Sequence, residues 1–301
     1  MQIQWYPGHM AKARRMLLEN LKLIDVVVEI VDARAPAATR NPDFDALFAG
    51  KARVVLLNKS DLADPALVTA WVESLRAQGL PAAGIVSTSS AGKKAAISLI
   101  ERAAAPRVAK MREKGVNKTV RVMIAGIPNV GKSTFINRIA GANRAQVGDK
   151  PGVTKGKQWV KITPYLELMD TPGLLWPKLE DATHAKHLAF LGSIKDDVMD
   201  VERLAAELLL ELLALCPQAV AARYQRLAPG MAIDEVLPAV CESRSFLLSG
   251  REPDTERAAR VVLDEFRAGR IAKVTLEQPG EKAAQQDATE QTEETGNAAD
   301  T

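Results

Sequence analysis

Residues 126–133 read Gly-Ile-Pro-Asn-Val-Gly-Lys-Ser and match G-x-x-x-x-G-K-[ST], the pattern of a phosphate-binding loop. An apolar, β-branched run over 120–125 predicts a buried strand before the loop, and residues 134–140 predict a helix after it. In this context the backbone N–H groups of the loop and the helix N-terminus offer hydrogen-bond donors to phosphate oxygens. Lys132 would then contact the β- and γ-phosphates of a nucleotide, and the Ser133 hydroxyl would ligate Mg²⁺.

A second motif, Asn58-Lys59-Ser60-Asp61, follows a strand predicted over 53–57. Its aspartate can accept hydrogen bonds from the N1–H and the 2-amino group of guanine, a pair of donors that adenine lacks. A four-residue motif is weak on its own. Its combination with a phosphate-binding loop predicts a guanine-nucleotide site.

Two further segments follow predicted strands and supply polar groups. Asp170 and Gly173 have D-x-x-G spacing, which would place a carboxylate near Mg²⁺ and an amide near the γ-phosphate. Thr154 lies in a polar loop over 142–156 that we expect to be mobile, and it is the natural second hydroxyl for Mg²⁺. The segment 87–89, Ser-Thr-Ser, could line the base pocket, although this match has low specificity.

Strands alternate with helices up to about residue 178, which predicts an α/β domain with a parallel sheet and helices on both of its faces. Helices are predicted at 201–215, 233–243 and 254–268, so we expect a separate all-α domain over 179–276. A helix predicted over 93–114 contains Pro106, where we expect a break.

Charge and composition limit the function classes. The chain has 301 residues and a formal net charge of +3, but residues 277–301 contain seven acids and one lysine, so the remainder is distinctly basic. A basic body favours a polyanionic partner such as nucleic acid, although solubility alone could explain it. The last 25 residues lack large apolar side chains and predict a disordered tail. No apolar run is long enough to span a bilayer, and two cysteines without C-x-x-C spacing fit a cytoplasmic protein.

The motif set resembles that of the Ras-like GTPases, but the order along the chain differs. Guanine recognition, at 58–61 and 87–89, precedes the phosphate-binding loop, which is the order (G4-G5-G1-G2-G3) of the circularly permuted P-loop GTPases. Among these, the segments 5–13 (Trp-Tyr-Pro-Gly-His-Met-Ala-Lys-Ala) and 32–36 (Asp-Ala-Arg-Ala-Pro) and the context of the phosphate-binding loop resemble the ribosome biogenesis GTPase A family. The resemblance covers roughly residues 1–275.

The resemblance implies hydrolysis of GTP to GDP and phosphate at a late step of large (50S) ribosomal subunit assembly, with the helical domain on ribosomal RNA. Leu174 follows Gly173 where ordinary GTPases carry a water-positioning Gln, and the resemblance points to His9 as its replacement. The alternative for His9 is a packed or capping side chain at a helix start. Asn129 stands at the position that the family ties to stimulation by K⁺.

The resulting hypothesis is a GTPase domain over 1–178, an RNA-binding domain over 179–276 and an acidic tail over 277–301, with GTP, GDP and the large subunit as partners and a monomeric state. The alternative is a nucleotide-gated RNA-binding scaffold without useful turnover. The predicted catalytic residue is His9, and the predicted Mg²⁺ ligands are Ser133, Thr154 and Asp170. The predicted nucleotide-binding residues are Asn58, Lys59, Ser60, Asp61, Ser87, Thr88, Ser89, Asn129, Val130, Gly131, Lys132, Ser133, Thr134 and Gly173.

Overall fold

A computed structural model describes residues 8–141, 159–171, 173–175, 181–194 and 199–280 of the chain. Within these ranges, six strands form one sheet in the order β3-β2-β1-β4-β6-β5. Neighbouring strands are parallel except for the antiparallel pair formed by β5 and β6. The strands are β1 (Val26–Asp32), β2 (Ala52–Asn58), β3 (Ala82–Gly84), β4 (Val120–Ala125), β5 (Trp159–Thr163) and β6 (Leu166–Asp170).

Helices lie between the strands and again after the last one. No helix in the described part of the chain has the length and apolar character needed to cross a membrane. The helices that accompany the sheet are α1 (Gly8–Leu21), α2 (Pro36–Thr39), α3 (Asp43–Leu47), α4 (Pro65–Ala77), α5 (Ser90–Glu113) and α6 (Lys132–Ala140). Those that follow it are α7 (Ala182–Phe190), α8 (Val201–Leu215), α9 (Pro217–Arg223), α10 (Ile233–Arg244) and α11 (Thr255–Arg267).

The central strands are covered on both faces, as their apolar runs require. All seven residues of β1 are buried. Alternate residues of β2 point to opposite sides: Val55 belongs to the apolar cluster that contains Trp71 of α4, whereas Leu56 belongs to the cluster that contains Ile100 of α5. Helices on both faces of the sheet are therefore confirmed, and so is the parallel arrangement except for β5, which runs antiparallel to β6.

The parallel strands bring their carboxyl ends to one edge of the sheet. In the register, Asp32 at the end of β1 faces Asn58 at the end of β2, and Ile124 of β4 faces Asp170 at the end of β6. The direction of strand order reverses between β1 and β4, so the loop after β4 leaves the sheet at a topological switch point. Ligands of open α/β sheets bind in the crevice at such a point.

The predicted break at Pro106 is wrong, because α5 is continuous from Ser90 to Glu113. Proline removes one backbone hydrogen bond of a helix, that to the carbonyl four residues earlier. Here Pro106 and Arg102, the residue at that position, are both exposed, so water can satisfy the carbonyl. The helices predicted at 201–215, 233–243 and 254–268 are confirmed as α8, α10 and α11, with small shifts at their ends.

The helices α7 to α11 share an apolar core with the sheet. Buried residues of α8, such as Leu208 and Leu212, lie in the same continuous cluster as Ile124 of β4. Helix α8 contacts each of the other four helices of this group. Three aspartates begin helices of this group by accepting hydrogen bonds from backbone N–H groups: Asp181 for α7, Asp200 for α8 and Asp254 for α11.

The start of the predicted disordered tail is wrong, because Glu277 is 4% exposed and tied to the sheet domain. Its carboxylate oxygens accept hydrogen bonds from the Ala37 and Ala38 N–H groups of α2, at 2.6 and 3.1 Å, and its carbonyl accepts from the Trp71 indole at 3.0 Å. Its carboxylate also lies 2.8 Å from the His187 ring. Composition placed Glu277 among the acids of the predicted tail. Its hydrogen-bond partners lie far away in the sequence, so local composition could not reveal them. Residues 281–301 lie outside the described residues.

We expect Glu277→Ala to lower the free energy of unfolding by about 2–4 kcal/mol, because it leaves buried donors without an acceptor. A chain ending at Gly280 keeps all these contacts and should unfold like the parent. Urea unfolding of the parent, these two variants and a chain ending at Leu276 measures both effects. If the chain ending at Leu276 were as stable as the parent, the structural role of Glu277 would be refuted.

His187 is buried between two carboxylates and gives the chain a pH-dependent contact. Its ring nitrogens lie 2.8 Å from a carboxylate oxygen of Glu277 and 2.8 Å from one of Glu211. Burial opposes a charge on the ring, but the two carboxylates outweigh burial and raise the pKa of His187 to about 9. A raised pKa means that the folded state binds the proton more tightly than the unfolded state.

The stabilisation from His187 should therefore be complete below about pH 6.5 and lost as the pH rises through about 9. The difference in unfolding free energy between the parent and His187→Gln should accordingly be larger at pH 6 than at pH 9.5, by on the order of 2 kcal/mol. The matched control is His184→Gln, because His184 lies 3.5 Å from the half-exposed Asp181, the N-cap of α7, rather than between two carboxylates in the manner of His187. A difference that does not change with pH would contradict this assignment.

Candidate functional site

The phosphate-binding loop joins β4 to α6 at the carboxyl edge of the sheet. Gly126 and Gly131 have positive φ angles of 150° and 94°, which side chains with a Cβ rarely adopt. A Cβ on Gly126 would lie 2.5 Å from the Ile30 carbonyl oxygen of β1, so the loop approaches the neighbouring strand closely. Lys132 is 7% exposed, and its ammonium group donates to the Ile127 carbonyl at 2.6 Å. Ser133 and Thr134 lie in the first turn of α6, at the helix end that favours anions.

Asn58 joins the phosphate-binding loop to the serine-rich segment. Its side-chain N–H donates to the Val130 carbonyl at 2.8 Å, and its side-chain oxygen accepts from the Ser87 N–H and hydroxyl at 3.0 and 2.7 Å. All of these atoms are buried, so the three segments are held in one arrangement. Asn58 therefore bridges segments of the protein, and its predicted contact with the nucleotide stays a prediction.

Lys59 also connects the guanine motif to the phosphate-binding loop. It has a positive φ of 59°, and its ammonium group donates to the Asn129 carbonyl at 2.8 Å. Asp61, two residues later, is exposed and lies beyond the end of β2, beside the loop that follows β3. The Ser60 N–H donates to the Ile85 carbonyl at 3.2 Å and so attaches this turn to that loop.

The three residues of the serine-rich segment have different positions. Ser87 is buried against Asn58, Thr88 is exposed, and Ser89 begins α5. The Ser89 hydroxyl accepts from the Gly92 N–H at 2.9 Å and donates to the Val86 carbonyl at 3.0 Å. Ser89 therefore acts as a helix N-cap. Its backbone is engaged too, because its N–H donates to the Val86 carbonyl at 2.9 Å and its carbonyl accepts from the Lys93 N–H at 3.2 Å.

The D-x-x-G segment packs against the phosphate-binding loop. Asp170 ends β6, and a Cβ on Gly173 would lie 2.9 Å from the Pro128 backbone nitrogen, which explains the glycine. The Leu174 N–H donates to the Gly126 carbonyl at 3.2 Å, and its side chain is 3% exposed. The apolar residue at the usual glutamine position is thus a core residue.

The geometry brings the guanine motif, the serine-rich segment, the phosphate-binding loop and D-x-x-G to one edge. A family model described as a 50S ribosome-binding GTPase matches residues 121–220. The Priestia megaterium protein named ribosome biogenesis GTPase A is 44% identical over 283 residues, which cover 93% of this chain and 98% of that protein. The chain belongs to the ribosome biogenesis GTPase A family.

Other members agree across nearly the whole length. The Thermotoga maritima ribosome biogenesis GTPase A is 32% identical over 277 residues, which cover 92% of this chain and 95% of that protein. The crystal structure of GNP-bound YlqF from T. maritima has a TM-score of 0.63 at 28% identity and covers 89% of this chain and 99% of that one. The GDP-bound YlqF structure has a TM-score of 0.62. The protein is therefore a GTP hydrolase that functions in ribosome biogenesis.

Three of the residues predicted to catalyse hydrolysis or to bind Mg²⁺ lie partly or wholly outside the described part of the chain. His9 belongs to the first turn of α1, but its side chain is not described. Thr154 and the rest of the loop predicted over 142–156 lie outside the described residues, and of Asp170 only the backbone is described. Their predicted roles stay predictions.

Sequence analysis missed Asp32 and Arg34 as parts of the site, although both stand in the segment that carried the family resemblance. Asp32 is 1% exposed, and its carboxylate lies 2.8 Å from the Lys59 ammonium group and 2.8 Å from the Arg34 guanidinium. A charged residue directly after an apolar strand was the available signal, since such positions meet at the carboxyl edge of the sheet.

Asp61→Asn is expected to weaken GTP binding and shift selection toward xanthine nucleotides, because an acceptor pair becomes one donor and one acceptor. We expect a loss of at least about 100-fold for GTP, since an unpaired polar group in a built site is strongly penalised. Titrations with GTP, ATP and XTP measure it. The control is Asp64→Asn at the half-buried N-cap of α4, where asparagine caps a helix about as well as aspartate. Equal affinities of the parent for ATP and GTP would remove the argument.

Proposed function

We propose that this GTPase binds a precursor of the large (50S) ribosomal subunit and that GTP hydrolysis times its release at a late assembly step. The observation that carries the proposal is the match to a family described as 50S ribosome-binding GTPases, together with relatives named for ribosome biogenesis over the full chain. The arrangement of guanine motif and phosphate-binding loop supports the nucleotide half of the proposal.

In this proposal the sheet belongs to a circularly permuted GTPase domain over 1–178. The RNA-binding helices over 179–276 follow it. Guanine recognition comes from loops after β2 and β3, which precede the phosphate-binding loop in the chain but neighbour it in space. Permutation keeps the site because parallel strands deliver their carboxyl ends to one edge whatever the order of the connections.

Mg²⁺ would be held by Ser133, Thr154 and Asp170. Ser133 and Asp170 fit a hard cation, because both supply oxygen ligands and both follow adjacent strands, β4 and β6, at the same edge. The ion would offset the negative charge of the β- and γ-phosphates. K⁺ would sit beside Asn129, whose positive φ of 63° turns its backbone at the middle of the phosphate-binding loop.

His9 would orient the attacking water when the large subunit docks. Leu174 cannot do so, because its side chain is apolar and buried and its N–H is committed to Gly126. Helix α1 begins at Gly8, so His9 would approach the γ-phosphate by movement of α1 or of its first turn.

Three exposed arginines of the helical part would contact RNA phosphates: Arg251, Arg257 and Arg270. Of these, Arg257 also lies 4.5 Å from the centre of the Phe246 ring. Others have structural partners: Arg223 and Arg244 pair with Glu265, and Arg267 donates to carbonyls of α7. The exposed arginines Arg226 and Arg260 have acidic neighbours, Glu242 and Glu256.

Cosedimentation of the GTP-analogue form with separated ribosomal subunits and their precursors tests the proposal. We expect binding to large-subunit precursors that weakens when GDP replaces the analogue. Charge reversal of Arg251, Arg257 and Arg270 should reduce binding and its salt dependence, whereas GTP affinity should not change. Binding to small-subunit precursors, or binding without hydrolysis on the subunit, would favour the alternative of a nucleotide-gated scaffold.

A further inference from the structure

Asp32 lies between the guanine motif and the helical part of the protein. One carboxylate oxygen contacts both the Lys59 ammonium group and an Arg34 N–H at 2.8 Å, and the other accepts from the Arg34 Nε at 3.0 Å. Burial opposes ionisation, but Arg34 and Lys59 outweigh it and hold the pKa of Asp32 well below its usual range. The carboxylate is therefore charged and shared between two cations.

Arg34 extends this contact to the end of α11. Its guanidinium is 1% exposed and donates from Nη1 to the carbonyls of Phe266 and Arg267, each at 3.1 Å. It also lies 5.3 Å from the centre of the Phe266 ring. The last carbonyls of a helix carry partial negative charge and lack partners inside the helix, so a buried guanidinium is a strong ligand for them.

A second connection joins the helical part to the phosphate-binding loop. The Ser193 hydroxyl, in the turn after α7, donates to the Pro128 carbonyl at 3.0 Å, and the Asn129 side chain donates to the Gly192 carbonyl. Arg267 attaches the end of α7, directly before this turn, to α11, because its guanidinium donates to the carbonyls of Ala189 and Phe190 at 2.9 and 3.0 Å.

The two connections close a ring of polar contacts. From Lys59 the ring runs through Asp32 and Arg34 to the end of α11, then through Arg267 and the turn after α7 to Asn129. It returns to Lys59 through the hydrogen bond between its ammonium group and the Asn129 carbonyl. We propose that Asp32 and Arg34 are positioning residues that hold Lys59 for the nucleotide and couple nucleotide binding to the packing of α11 and α7 against the site.

This inference rests on the proposed role of Lys59 in nucleotide binding and adds a route by which the RNA-binding helices and the nucleotide affect each other. Coupling of this kind is reciprocal: if the Arg34 contacts favour nucleotide binding, then the nucleotide favours the Arg34 contacts to the same extent. Two consequences can be measured. The helix end should become more protected when GDP binds, and disruption of the ring should weaken GDP binding.

The experiment compares GDP affinity, GDP dissociation rate and amide hydrogen exchange over 262–272 in the parent, Asp32→Asn, Arg34→Lys and Ser193→Ala. Lysine keeps the charge of Arg34 but cannot bridge Asp32 and two carbonyls at once. We expect Arg34→Lys and Asp32→Asn to bind GDP about 5- to 50-fold more weakly, with faster dissociation. GDP should slow exchange over 262–272 in the parent, and this effect should be lost in Arg34→Lys.

Arg260→Lys is the matched control, because Arg260 is an exposed residue of α11 that pairs only with exposed Glu256 in the described part of the chain. It should behave like the parent in every measurement. Lys59→Ala tests the role of Lys59 in nucleotide binding separately from the coupling through Arg34. If this variant leaves GDP binding intact, the proposed role of Lys59 is wrong. If it weakens binding but a folded Arg34→Lys does not, the coupling is refuted. Should Arg34→Lys fail to fold, two other measurements test the coupling: slower amide exchange over 262–272 in the parent when GDP binds, and faster GDP dissociation from Ser193→Ala. If neither is observed, the coupling is refuted.

Discussion

Gly131→Ala is expected to weaken guanine-nucleotide binding by at least about 100-fold. Gly131 has a φ of 94°, and a Cβ would lie 2.3 Å from the Asn58 side-chain nitrogen. The strain of a non-glycine residue at this φ costs about 1–3 kcal/mol, and displacement of Asn58 breaks its buried hydrogen bonds to Val130 and Ser87, at about 1 kcal/mol or more each. Since about 1.4 kcal/mol corresponds to a tenfold change, these costs together exceed two orders of magnitude.

Gly141→Ala is the matched control for this prediction. Gly141 follows the other end of α6 and also has a positive φ, 79°, but no atom of the described residues lies within 4 Å of the position that its Cβ would take. We expect a stability loss of about 1 kcal/mol and unchanged nucleotide affinity. Titration with a fluorescent GDP analogue measures both variants. Similar affinities of Gly131→Ala and Gly141→Ala would show that the Asn58 bridge does not shape the site.

His9→Ala is expected to keep GTP affinity and to lose most of the turnover that large subunits stimulate. Loss of one group that positions water plausibly costs a factor of about 10²–10⁴, the range measured for positioned acid–base groups. Affinity should persist because the substitution removes an interaction made only during hydrolysis. Single-turnover hydrolysis with saturating large subunits, beside a nucleotide titration, separates the two quantities.

The control for His9 is Leu174→Ala. Leu174 is buried, so this variant should lose stability but keep its stimulated rate per folded molecule. If His9→Ala turned over like the parent while Leu174→Ala did not, His9 would be a structural residue of α1 and the proposed catalytic role would be wrong.

Local patterns predicted most of the sheet and the positions of the nucleotide motifs. A strand, its turn residues and the next helix are close in sequence, so β4, the phosphate-binding loop and α6 could be predicted together from residues 120–140. The Asp64 N-cap of α4 was predictable for the same reason, and its side chain accepts from the Ala66 and Leu67 N–H groups.

Contacts between distant segments could not be predicted in this way. Arg34 meets Phe266, 232 residues later, and Ala37 meets Glu277, 240 residues later, and no local periodicity connects such pairs. Composition predicted a solvated Glu277 rather than a buried one, because a glutamate beside a glutamine- and glutamate-rich tail is typical of a solvated segment. The predicted break at Pro106 was wrong for a different reason. The free-energy cost of a proline in a helix depends on whether water can reach the carbonyl four residues earlier, and only the packed structure decides this.

Single-turnover GTP hydrolysis with no subunits, with small subunits and with large subunits tests the central claim most directly, because the proposed GTPase cycle requires the large subunit to complete the site. The account predicts slow hydrolysis by the protein alone, the same slow rate with small subunits, and a large acceleration by large subunits that is lost in His9→Ala. An equal rate in all three conditions, with GTP bound in each, would contradict it.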